Sequence, residues 1–460
     1  MQVNYSSFPH RLCKAFNTYA ALRRGDFLSI LQIHNVQCFP PNSACIYAWY
    51  RLGCYQNVVD LAKNYHPKSA RDITAISVSL AATGDFKQCQ RIIDEHLSKV
   101  RQDVRFAIEA AQGVAKFHPS LAHKLVENLP YTADIRTACL YALGQSEQAR
   151  KTFLQNKHPT RKDVVAGHFF LKANLSEAVT EKVAAINQQL FEFNLSEIQA
   201  PNTASSFRLD ILRNADGLSL ISGPLASIIV PAFNAAAYLE KSVSTLLEQT
   251  YSNLEVIIVN DGSSDNTQHI ARTLSNRDSR VRLLEFTTNR GAYAARNAGL
   301  KEAHGHFVTV HDADDFAHAQ KIEKQVFPLL QDDRLVFSIS DMVRVSSDGT
   351  FARREIYPLQ RMNTSSLLFR RELVLRECGY WEEKRFGADS EYLFRLRNSF
   401  AKNRWVRLRL PLSFAADHSA SLTASISTGG LGQPSDPRRI AYTEAYTHRW
   451  LQRLCSQSYD

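Results

Sequence analysis

Nowhere does the 460-residue chain hold an apolar run approaching the ~18 residues that cross a bilayer, and Met1-Gln2-Val3-Asn4-Tyr5-Ser6-Ser7 has no basic stretch leading into an apolar one. This predicts a soluble, cytoplasmic protein whose membrane contact is at most peripheral. Cys-x-x-Cys spacing is missing as well. Six of the eight cysteines fall in the first third of the chain, which reads as buried thiols in a reducing compartment. The net charge is +10, yet there is no dense Arg/Lys stripe with interleaved aromatics, so nucleic acid is not the expected partner. An anionic small molecule or surface remains compatible with that charge.

At this length two or more hydrophobic cores are expected. The first third carries five anchors, Gly25-Asp26-Phe27, Gly53-Cys54-Tyr55, Gly84-Asp85-Phe86, Phe117-His118-Pro119 and Gly144-Gln145-Ser146, at steps of 28, 31, 33 and 27 residues. Five positions after each lies Ile30, Val58, Cys89, Ala122 or Ala149, a small or apolar residue placed to press a second helix on its neighbour. A period near 30 with a turn at its centre predicts stacked helical pairs. The pattern resembles a degenerate tetratricopeptide-type repeat, an all-α solenoid over 1–196 whose concave face would bind a partner protein or a long acceptor chain. Pro201, Gly217, Gly223 and Pro224 interrupt all periodicity over 197–225, which is read as a linker.

From Ala226 short β-branched runs alternate with helical periods, the sign of βαβ units and a mostly parallel sheet. Ser227–Val230 is the first strand, closed by Pro231, and Leu239, Val243, Leu246 and Leu247 mark one face of the helix that follows. Val256–Val259 is the second strand, and Phe307–Val310 runs straight into Asp312, Asp314 and Asp315. Ligands of open α/β sheets settle at strand C-terminal ends, and Asn234, Asp261 and Asp312 all follow such ends. Three clustered carboxylates are hard oxygen ligands suited to a divalent cation that holds a diphosphate.

The stretches Ser227-Ile-Ile-Val-Pro-Ala-Phe-Asn234, Gln249 to Asp265 with its Asn260-Asp261-Gly262-Ser263-Ser264-Asp265 end, and Asn289-Arg-Gly-Ala-Tyr-Ala-Ala-Arg-Asn297 together resemble the family 2 inverting glycosyltransferases over about 226–422. The resemblance implies a GT-A type α/β nucleotide-sugar-binding domain over 226–424. It implies that Pro231, Phe233 and Asn234 line the nucleoside pocket, that Asp261 hydrogen-bonds the base, and that Arg296 helps hold the nucleotide. Asp312-Ala313-Asp314 matches the family's DxD motif, whose carboxylates bind Mn²⁺ or Mg²⁺ across the donor phosphates. Asp389 matches the general base, and His418 a histidine that some members place near the metal or pyrophosphate. The expected partners are a nucleotide-diphosphate sugar, with UDP as the nucleotide, and a glycan or glycolipid acceptor of bacterial surface polysaccharide.

Each of these residues has a plainer reading: an ion pair for Arg296, a helix cap for Asp389, a structural role for His418. Ala388 departs from the family, which has Glu before the base, and Glu391 is the nearest substitute. Tyr380 and Trp381 are either an acceptor platform or core. Residues 425–460 are read as a loop over Ser425–Pro437 and a helix with basic residues, docked on the protein or lying on an anionic surface. The alternative for the whole chain is a helical scaffold with a retired enzyme domain; joint retention of Asp261, Asp312, Asp314 and Asp389 argues against it.

Overall fold

A computed structural model describes residues 17–34, 42–156, 158–351, 356–418 and 433–456. They form two compact units, one of 1–152, 354–356 and 426–460, the other of 153–353 and 357–425.

The first unit is helical: α1 Phe27–His34, α2 Ser43–Arg51, α3 Tyr55–Ala62, α4 Ala70–Thr83, α5 Phe86–Arg101, α6 Val104–Ala115, α7 Pro119–Val126, α8 Ala133–Ala142 and α9 Ser146–Phe153, the last crossing into the second unit by one residue. The anchor glycines Gly25, Gly53, Gly84 and Gly144 all have positive φ, the left-handed turn that side chains resist. Ile30, Val58, Cys89, Ala122 and Ala149 are all buried, as the repeat spacing predicts. The C-terminal helix α19 (Pro437–Ser456) docks in this same unit: His448 lies against Trp49 with ring centroids 4.9 Å apart, and Glu444 accepts the Asn57 amide at 2.9 Å. The expected loop over Ser425–Pro437 lies largely outside the described residues.

The second unit begins earlier than the boundary expected at 196. Helices α10 (Arg161–Ala166), α11 (His168–Leu175) and α12 (Val179–Phe191) belong to it and pack on its strands. Gln189, fully buried on α12, donates to Gln360, and Asn174 on α11 exchanges two hydrogen bonds with Phe351. Residues 197–225 also differ from a linker. Short strands β1 (Ile198–Gln199) and β2 (Arg213–Asn214) pair there, and the Asn214 side chain bonds Ala317 and Ala319.

The sheet comprises β3 (Ala226–Ala232), β4 (Leu254–Asp261), β5 (Val281–Phe286), β6 (Phe307–Val310), β7 (Phe316–Ala317), β8 (Phe337–Ser346), β9 (Gln360–Met362), β10 (Leu368–Arg370) and β11 (Trp405–Asp417), in the order 5-4-3-6-10-8-11-7 with β9 beside β8. Strands 3 to 6 are parallel, but β10 runs antiparallel to both β6 and β8, so the sheet is mixed where the sequence suggested mostly parallel. Helices α13 (Leu239–Leu247), α14 (Thr267–Arg277) and α16 (Lys321–Gln331) cover one face, and α15 (Ala292–Glu302), α17 (Arg371–Cys378) and α18 (Ala388–Ser399) the other. Pro231 lies inside β3, not after it: the ladder to β6 ends at Ile229, so the missing proline N–H leaves no bond unmade. The chain leaves β3 for β4 on one side and β6 lies on the other, which opens a crevice at their C-terminal ends.

Candidate active site

Every residue singled out in the sequence for chemistry lies in the second unit. At the end of β3, Phe233 is 48% exposed and Asn234 has φ 49°, a left-handed turn that asparagine tolerates. The Asn234 carboxamide oxygen accepts the Ser264 amide at 2.9 Å, joining this turn to the loop after β4. At Gly262, φ 66°, a Cβ would meet the Thr288 carbonyl carbon at 2.6 Å, so only glycine lets the loops after β4 and β5 touch.

Asp261, at the end of β4, is buried and already holds three donors: the Arg290 amide at 2.7 Å, the Gly291 amide at 2.8 Å and the Asn289 side chain at 3.1 Å. A carboxylate has about four acceptor positions, so it shapes the loop into α15 and keeps room for one further N–H.

Arg296, on α15, is 5% exposed and donates to Asp312 at 2.9 Å. Burial opposes its charge, but Asp312, Tyr293 and Asp389 outweigh that and hold its pKa above the ordinary value. The ion pair ties α15 to the DxD turn. That turn is closed by the Asp315 amide on the Asp312 carbonyl. Asp315 itself points inward, accepts the Ala416 amide at 2.9 Å, and has its pKa pushed well up by burial and by Asp314 and Asp312. Beneath it, fully buried Lys321 donates to His311 at 3.2 Å, and His311 bonds the Asp315 carbonyl.

Asp314 meets His418 at 2.9 Å, across 104 residues of sequence, and the ring of Tyr238 stacks on that imidazole at 4.7 Å. Side by side, they offer one oxygen and one nitrogen donor that could be shared by a divalent cation. His418 Nδ1 is buried with no hydrogen-bond partner. Among the described residues no set of three His, Cys, Asp or Glu side chains converges as metal ligands. The donor set thus fits a cation completed by phosphate oxygens and water, as magnesium-type sites commonly are.

Asp389, in the first turn of α18, makes no cap hydrogen bond to that helix; Gly387 occupies the cap. Its carboxylate instead accepts the Tyr293 hydroxyl at 2.8 Å and the Thr364 hydroxyl at 2.8 Å. Neither donor was singled out by sequence reasoning. Tyr293 was within reach, lying three residues before Arg296 on one helical face; Thr364 carries no signal in its surroundings. Ala388 is fully buried in the core, and Glu391 is held in a buried pair with Arg395 at 2.8 Å, so neither offers a second carboxylate beside Asp389. Trp381 is core, stacked near Tyr392, while Tyr380 is 40% exposed.

Residues 227–380 match the family model described as glycosyl transferase family 2. That match lies within the second unit. Over 109 residues the chain is 41% identical to UDP-Glc:alpha-D-GlcNAc-diphosphoundecaprenol beta-1,3-glucosyltransferase WfgD of Escherichia coli, covering 24% of this chain and 42% of that protein. Over 127 residues it is 35% identical to the putative teichuronic acid biosynthesis glycosyltransferase TuaG of Bacillus subtilis, covering 28% and 50%. The crystal structure of S. aureus TarS 1-349 in complex with UDP-GlcNAc aligns with a TM-score of 0.37 at 20% identity, over 44% of this chain and 60% of that one. The chain spans about half the length of the curated relatives it matches. The described elements give the expected order of parts, an all-α part followed by an α/β part. Among the described residues no helix is long and apolar enough to cross a membrane.

Proposed function

We propose that the chain is a metal-dependent inverting glycosyltransferase that moves a hexose from a nucleotide-diphosphate sugar, with UDP as the nucleotide, to a glycan or glycolipid acceptor of bacterial surface polysaccharide. The observation that carries this reading is the side-chain path Asp312–Arg296–Tyr293–Asp389, with links of 2.9, 5.0 and 2.8 Å, which joins the DxD turn to a lone half-buried carboxylate. Asp261 offers its open acceptor position to a base N–H, and Phe233 and Asn234 edge the nucleoside. Asp312, Asp314 and His418 would hold Mn²⁺ or Mg²⁺, which when bound neutralises charge on the departing diphosphate. Asp389 takes the proton of the acceptor hydroxyl as its oxygen bonds the anomeric carbon and the bond to the diphosphate breaks. One carboxylate suffices because no covalent sugar intermediate forms, and the configuration inverts. The TuaG and WfgD names support the acceptor class, and the helical unit is read as a docking surface for a partner protein or a long acceptor.

Calorimetry with UDP and Mn²⁺ tests the site. Binding should vanish in the Asp312→Ala, Asp314→Ala double variant and on chelation, while Asp389→Asn should bind UDP as before and release none from donor. Full transfer by Asp389→Asn would refute the assignment of the base.

A further inference from the structure

Resting on the reading of Asp389 as base, we infer that Tyr293 and Thr364 form a two-hydroxyl clamp that sets the aim of that carboxylate, and that Tyr293 couples it to the donor side. Each carboxylate oxygen receives one hydroxyl, Oδ1 from Tyr293 and Oδ2 from Thr364, both at 2.8 Å. One lone pair on each oxygen is thereby taken, and the other is left for an incoming alcohol. The two donors come from separate elements, α15 and the short 3₁₀ turn Thr364–Ser366, so the carboxylate is gripped from both sides.

Tyr293 is 8% exposed, and its phenol pKa is raised by burial and by Asp389, so it stays a donor throughout the working range. Its ring lies under the Arg296 guanidinium at 5.0 Å, and that same guanidinium holds Asp312. Arg296 is also the charge that faces Asp389 from α15, while on α18 itself Glu391 is turned to Arg395. Any ligand that draws Asp312 from Arg296 therefore changes what presses on the Tyr293 ring, and the ring carries the hydroxyl that orients the base. Tyr293 and Thr364 are positioning residues: neither exchanges a proton with substrate.

In Tyr293→Phe, and likewise in Thr364→Val, the kcat of UDP release from UDP-glucose, UDP-galactose or UDP-N-acetylglucosamine should fall about tenfold while UDP and Mn²⁺ binding stays within about twofold of wild type. Thr364→Ser, which keeps the hydroxyl, should return the rate to within about twofold of wild type. Undiminished kcat in Tyr293→Phe and Thr364→Val, with Asp389→Asn inactive, overturns the clamp. Undiminished UDP release by Asp389→Asn instead overturns the base.

Discussion

Gly299 lies in the middle of α15, three residues after Arg296 and six after Tyr293, where the helix rests on the central strand β3. A Cβ there would stand 2.5 Å from Ile229 Cγ2 and 3.2 Å from Cγ1. Glycine-to-alanine inside a helix normally gains about 1 kcal/mol. Overpacking a well-filled core costs about 1–3 kcal/mol. Ile229 is fully buried, β-branched and stiff at χ1, so it cannot swing aside and the upper part of that range applies. Gly299→Ala should therefore lose about 1–2 kcal/mol net, a few degrees in Tm for a unit of this size. Relief comes by moving α15 outward by about 1 Å, and a displacement of that order at a catalytic group costs up to about 100-fold in rate. Thermal denaturation and UDP release, measured together, check both effects. In an Ile229→Ala background the same change should become neutral or stabilising, because the space has been vacated. A single Gly299→Ala variant that melts higher than wild type and turns over normally would refute the packing argument.

Three further outcomes are expected. Ala388→Glu, which restores the family residue, should destabilise by on the order of 3–5 kcal/mol because position 388 is fully buried among apolar side chains, and a stable, more active variant in denaturant titration would contradict this. Burial brings the Lys321 pKa from 10.5 down to about 8, so the unfolded chain holds that proton more tightly than the folded one between those values and stability rises with pH there; relative to Lys321→Met, wild type should gain up to on the order of 3 kcal/mol from pH 8 to 10.5, read by urea denaturation. Burial lowers the His448 pKa, so the helical unit should lose stability as pH falls below the ordinary histidine range, and His448→Gln should flatten that dependence in thermal melts.

The elements legible in the sequence are those whose pattern is local. Leu239, Val243 and Leu246 are fully buried as their spacing requires, and the β-branched runs at Ile228–Val230 and Val256–Val259 are the central strands. The same kind of pattern says which face a residue turns inward, never which neighbour it meets. Hence the DxD turn was recognisable, but the approach of Asp314 to His418 and of Tyr293 to Asp389, across 104 and 96 residues, was not. Sheet direction is illegible for a related reason: the antiparallel members β7, β9 and β10 are only two or three residues long, too short to show a period, yet they make the sheet mixed. The stretch over 197–225 reads as a linker because its buried apolar residues, Ile198, Phe207 and Leu212, are too widely spaced to form a run.

The seating of α10 to α12 bears on how the second unit is to be produced by itself. Phe170 on α11 fills the space beside Phe351 and Phe414, and Gly167 at the start of α11 lets Leu359 approach where any Cβ would stand 3.0 Å away. A fragment cut at residue 226, where family likeness begins, would strip those helices away and expose Phe351 and, on β11, Phe414. Soluble expression of that unit alone calls for a start near residue 153.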